Sequence, residues 1–143
     1  MKKTAVWIRT LYASETARWV FAALAAAALI AIAASLSTIT YYDNDDLNIA
    51  WTLAGYRTGT PTFSHPFINC IMAFLVGALY AAAAQLPWWL IVQLLGVWIG
   101  MTAVFACLLR VGRRSGAPLI LPLVLMVIFG AGLYYYGIVL VTF

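Results

Sequence analysis

Polar and apolar positions in this chain fall into blocks, not into the alternation expected of half-buried strands. From Trp19 to Ile39 only Ser35, Ser37 and Thr38 interrupt the apolar run. From Pro66 to Leu109 there are 44 residues without an Asp, Glu, Lys, Arg or His, and a last apolar run extends from Leu119 to Val141. About 20 apolar residues in a helix cross the ~30 Å hydrocarbon layer of a bilayer. The first and last runs therefore each predict one span. The 44-residue run fits two, divided at Gln85-Leu86-Pro87. The fold class expected is all-α, a polytopic membrane helical bundle with about four transmembrane helices at 19–39, 66–85, 88–109 and 119–141. The first span is mostly alanine, which suits close packing against other helices.

Residues 40–65 form the only long polar connection. Asp43 or Asn44 can cap a helix that starts near Asp45 and ends at Gly55, a natural residue just past a helix C-terminus. Leu47, Ala50, Trp51 and Ala54 share one helical face, and Asn48 and Thr52 share another. The pattern predicts a short membrane-parallel helix over 45–55 in the first loop. Tyr56-Arg57-Thr58-Gly59-Thr60-Pro61 then reads as a turn, and Ser64-His65-Pro66 as the start of the next span.

Composition supports this reading and removes others. The 143 residues are 66% hydrophobic and 8% charged, with a mean hydropathy of +1.00, too apolar to clothe a soluble core. The net charge is +4. Its eight basic residues flank the apolar runs, which suits topology determinants and argues against a nucleic-acid partner. Cys70 and Cys107 lie in apolar runs without metal-type spacing, as small buried hydrophobes would. The first run is too long for the core of a signal peptide. Residues 1–18, with Lys2, Lys3, Arg9 and Arg18, are expected on the cytoplasmic side. Four alternating spans then place Arg110, Arg113 and Arg114 outside, against the positive-inside bias. Either the bias is broken there, which is the preferred reading, or segment 66–86 is re-entrant or interfacial.

The candidate chemistry is concentrated in one place. Of four acidic residues, Asp43, Asp45 and Asp46 fall within four positions. Carboxylates at a helix start are stabilised by the helix dipole alone. Capping accounts for one acid, however, and leaves a surplus. Arg57 suits an interfacial cation with its head among phospholipid phosphates, and His65 suits a hydrogen bond at the next helix start. Trp51, Trp88, Trp89 and Tyr134–Tyr136 read as interface aromatics. Asn69 and Gln93 read as inter-helix hydrogen bonds, and Gly96 and Gly100, a G-x-x-x-G pair, as a site for a packing helix.

The string "NDDLNIAWTLAGYRTGTPTFSHPFINCIMAFLVGALYAA" resembles the start of bacterial GT-C glycosyltransferases. Those proteins carry an acidic pair after the first span, then a membrane-parallel helix, then a Gly-Thr-Pro-like turn into the second span. The likeness covers about residues 19–109. It implies an integral protein of the bacterial plasma membrane and sugar transfer from a polyprenyl-phosphate donor at the outer face. By position, Asp45 and Asp46 match the first-loop acid that serves as base or metal ligand. Such a base takes the acceptor hydroxyl's proton as the anomeric carbon is attacked. Asp43, Asp45 and Asp46 could hold a divalent metal, Mg²⁺ or Mn²⁺, with the substrate phosphate completing its shell. Arg57 would stabilise the departing phosphate and His65 would contact the sugar. GT-C enzymes are several times longer, so the chain is expected to be the N-terminal module of a longer protein.

Two other classes compete. A non-catalytic membrane scaffold or accessory subunit would use the Ala and Gly faces alone. A small transporter or channel subunit is weaker, because no ionisable residue lies within any expected span.

Overall fold

The computed structural model describes residues 14–36 and 44–133, with Leu36, Asn44, Asp45 and Leu133 described by backbone alone. Asp43 and Tyr134–Tyr136 lie outside the described residues. The described chain is all-helical. Its five helices are α1 (Glu15–Leu36), α2 (Asn44–Ala54), α3 (Cys70–Ala82), α4 (Trp88–Arg114) and α5 (Ile120–Leu133). Two of them, α1 and α4, are long and apolar enough to cross a membrane. In their most apolar stretches only 22% and 17% of residues are buried by the protein, unlike the core helices of a soluble domain.

The chain forms two compact units, which share α4: one takes its residues up to Gly96, the other those from Val97. The first unit contains α1, the rest of α4, and α5. Ser14 caps α1 by accepting a hydrogen bond from the Ala17 amide. Glu15 at the start of α1 pairs with Arg110 near the end of α4. Further along α1, the Ala23 carbonyl accepts a hydrogen bond from Trp98 Nε1 at 3.0 Å. The two helices therefore run antiparallel. Ala22, Ala26, Met101, Phe105, Ala106, Leu109 and Met126 make the buried core of this unit. Small residues on α1 are what let the larger side chains of α4 sit against it.

The second unit is built from α2, α3 and the start of α4. Helix α2 ends in a Schellman motif: Tyr56 N–H donates to the Trp51 carbonyl and Gly55 N–H to that of Thr52. Gly55 sits at φ 82°, in the left-handed region where a side chain is strained. The chain then turns back, and Thr62 donates from its amide to the Leu53 carbonyl and from its hydroxyl to that of Thr52. Its carbonyl lies so close to Gly77 of α3 that a Cβ there would meet the oxygen at 2.3 Å.

The expected boundaries need revision, beginning with α1, which starts at Glu15 and not at Trp19. Helix α3 begins at Cys70, not near Pro66, because the Asn69 side chain accepts from the Ile71 amide and caps it. Asn69 is thus a cap and not the inter-helix polar contact expected of it. At 13 residues α3 is only ~20 Å long, short of a full crossing. Helix α4 runs past the expected end at 109 to include Arg110, Arg113 and Arg114, which complement the carbonyl end of its dipole. Cys70 and Cys107 are exposed, not buried, since both face away from the two cores.

Candidate functional site

The second unit gathers most of the residues singled out in the sequence. On α2 the buried face is Ile49, Ala50 and Leu53, packed with Ala73, Val76 and Tyr80 of α3 and Trp89 of α4. This differs from the expected face of Leu47, Ala50, Trp51 and Ala54: Trp51 is 44% exposed. Asn48 and Thr52 do share a face, and the Thr52 hydroxyl donates to Asn48 Oδ1.

Asp46 lies on the buried side of α2, one helical turn before Ile49 and Ala50. Two donors from the first turns of α4 converge on its Oδ1: Trp89 Nε1 at 3.0 Å and Gln93 Nε2 at 3.2 Å. Trp89 and Gln93 are four residues apart, so one face of α4 presents both. Among the described residues no donor reaches Asp46 Oδ2. The Trp89 amide, one of the orphan donors at a helix start, donates to the Tyr80 hydroxyl at 3.3 Å. Trp89 is thus held to Tyr80 through its backbone amide and to Asp46 through its indole, and Asp46 in turn to Gln93. Gln93 Oε1 is buried and has no hydrogen-bond partner among the described residues. Because an ionised carboxylate only accepts, Nε2 must face Asp46, and the amide cannot flip to relieve Oε1.

A cavity of about 190 Å³ lies beside this cluster, with Trp51, Tyr56, Tyr80, Gln85 and Pro87 among its walls. Ala50, one turn from Asp46 on α2, also lines it. Aromatic faces with an amide and a phenol suit a flat, hydroxyl-rich ligand.

The other expected site residues are distributed less compactly. Asp45 stands in the first turn of α2, with its side chain outside the description. Arg57 is exposed in the turn after α2. His65 is buried, and its Nδ1 accepts from the Phe67 amide at 3.3 Å while its ring meets that of Phe67 at 5.6 Å. That places Nδ1 in a local turn and assigns the neutral ring's hydrogen to Nε2. No hydrogen bond among the described residues joins His65 to Asp46. Of the three acids offered as metal ligands, only Asp46 has a described side chain, and the described residues contain no cluster of three ligating groups.

Sequence reasoning did not find the partners of Asp46. Trp89 was expected in an interfacial belt but is buried, with its N–H on a carboxylate. Gln93 is the inter-helix hydrogen bond expected of it, and its partner is the surplus acid. A polar side chain inside an apolar run and an excess of carboxylates elsewhere were the two halves of that signal. Among the described residues nothing lies within 4 Å of a Cβ added at Gly96 or Gly100.

Comparison with protein-family models, with curated proteins and with solved structures found no match. The class defined by the fold is a chain whose described residues are all-helical and include two helices long and apolar enough to cross a membrane.

Proposed function

We propose that this chain is the N-terminal module of a GT-C type membrane glycosyltransferase, using a lipid-phosphate-linked sugar donor. The observation that carries the reading is Asp46: one carboxylate oxygen is fixed by Trp89 and Gln93, no donor among the described residues reaches the other, and an aromatic cavity lies one helical turn away. In this reading Asp46 Oδ2 takes the proton of an acceptor hydroxyl, and the bonds to Oδ1 set the carboxylate's angle. Trp51 and Tyr56 offer faces on which a sugar ring can rest, and Arg57 counters the departing phosphate. One carboxylate oxygen is a poor donor set for Mg²⁺ or Mn²⁺, so a metal would need Asp43 or Asp45 as well.

The membrane arrangement belongs to the same proposal. With α1 and α4 antiparallel and both crossing, Glu15, Arg18 and Arg110–Arg114 share one membrane face. Residues 37–87 then make an even number of crossings, so α3 dips into the bilayer without traversing it. This favours the re-entrant alternative over four full spans, and it removes the conflict with the positive-inside bias. That face is the cytoplasmic one, and the catalytic face is the outer one.

The test is Asp46→Asn in the complete membrane protein, assayed for transfer from a polyprenyl-phosphate sugar. Loss of a positioned base should lower turnover by roughly 10²–10⁴-fold. Transfer at the unsubstituted rate would remove Asp46 from the chemistry and leave the scaffold reading, for which Gly96 and Gly100 offer a small-residue packing face.

A further inference from the structure

We propose that the aromatic cavity between α2 and the α3–α4 turn is a subsite for an uncharged sugar, the acceptor of the transfer, and that the Tyr80 hydroxyl is the donor that recognises it. Its role as the acceptor subsite rests on the glycosyltransferase reading, whereas sugar binding there does not. Tyr80 is only 4% exposed and forms part of the cavity wall. Its hydroxyl oxygen accepts from the Trp89 amide at 3.3 Å, and among the described residues nothing accepts the hydroxyl's own hydrogen. A buried donor is costly to leave unsatisfied, and a ligand oxygen in the cavity would complete it.

The charge of the walls decides what that ligand is. Among the described residues no charged side chain lines the cavity. Neither a phosphate nor an ammonium group would find a counter-charge there, and burying either one unpaired is expensive. Asp46, one helical turn from Ala50, adds repulsion for an anion. The sugar of a phosphate-linked donor arrives with its phosphate, whereas an acceptor sugar can be neutral throughout. Trp51 and Tyr56 supply ring faces, negative at their centres, against which the C–H groups of a pyranose pack. Gln85 both donates and accepts, as paired hydroxyls require. A flat quinone would use the faces but leave the accepting half of that amide idle. The walls are also set in advance. The Tyr56 amide donates to the Trp51 carbonyl at 3.0 Å, and Trp88 Nε1 to the Ala83 carbonyl at 2.8 Å, which fixes the rim on either side.

The experiment is saturation-transfer NMR on the full chain in a detergent without a sugar headgroup. The probes are the methyl glycosides of glucose, galactose and mannose, with methyl glucuronide as the charged counterpart. At least one neutral glycoside should bind about tenfold more tightly than the glucuronide. Trp51→Ala, at an exposed position, removes a ring face, and Tyr80→Phe removes one hydroxyl while keeping the ring's packing. Each should weaken neutral-sugar binding roughly three- to tenfold. Glucuronide binding as tight as that of the neutral glycosides, no binding by any of them, or affinity unchanged in both variants would overturn the assignment. Binding does not require transfer, so the two readings fail separately. Neutral glycosides that bind while Asp46→Asn transfers at full rate keep the sugar site and sink the base. Absent binding together with transfer lost in Asp46→Asn does the reverse.

Discussion

The indole of Trp89 donates to the carboxylate of Asp46 across 43 positions of sequence, at 3.0 Å. This bond ties the start of α4 to the first turn of α2. A buried polar group that loses one of its hydrogen-bond partners costs about 1–3 kcal/mol, and a bond to a charged group lies at the upper end. Trp89→Phe keeps most of the ring's packing and removes only the donor. The unfolding free energy read from thermal melts in detergent should fall by about 1–3 kcal/mol. A melting curve unchanged from the parent would mean that the bond contributes nothing to the fold.

Gln93 separates charge from packing at the same carboxylate. Gln93→Glu sets a second carboxylate about 3 Å from Asp46, where two like charges cannot both ionise easily. Gln93→Leu removes one donor to Asp46 but also removes the buried, unpartnered Oε1. The leucine variant should therefore melt above the glutamate variant at neutral pH. The gap should close in acid, as the added carboxyl becomes protonated. The reverse order would show that the amide is held by contacts other than Asp46.

Two glycines in one turn should respond differently to alanine. Gly55 and Gly59 both have positive φ, at 82° and 77°. A Cβ at Gly55 would meet the Thr60 carbonyl carbon at 2.3 Å, whereas one at Gly59 would meet nothing within 4 Å. Gly59→Ala should cost about 1–2 kcal/mol, the penalty of the left-handed backbone alone. Gly55→Ala should cost more, because backbone must move, and it should loosen the end of α2. Amide exchange at Tyr56 and Thr62 would report that loosening directly.

The proposed even number of crossings between α1 and α4 is open to labelling. With Cys70 and Cys107 replaced, single cysteines at Thr16 and Ser115, both exposed, should react with a membrane-impermeant maleimide from the same side. Four full spans require opposite sides.

Local chemistry made some elements readable and long-range packing hid others. The helix expected over 45–55 and the α2 found at Asn44–Ala54 agree closely, because a polar start and a positive-φ glycine are signals within a few residues. The break at Gln85-Leu86-Pro87 is equally local: α3 ends at Ala82 and α4 begins at Trp88. Apolarity alone gave no end for α3, since residues 66–69 are as apolar as a span but the Asn69 cap starts the helix four residues late. The buried face of α2 was hidden for a different reason. A short helix with apolar residues on several sides can present any of them, and its neighbours choose Ile49, Ala50 and Leu53. The bonds to Asp46 were hidden by distance along the chain. Nothing near residue 46 announces a tryptophan at residue 89.

The alanine run of α1 looks like low-complexity sequence, yet its repeated letter conceals a period. Ala22, Ala26 and Ala33 are buried, whereas Ala27, Ala28 and Ala31 are exposed. Replacing each in turn with leucine should therefore give a mutational spectrum with a helical beat. Tolerance at the exposed positions would alternate with overpacking at the buried ones. Two proteins with the same alanine content in this segment could differ entirely in which substitutions they survive. The information lies in the phase of the run, not in its composition.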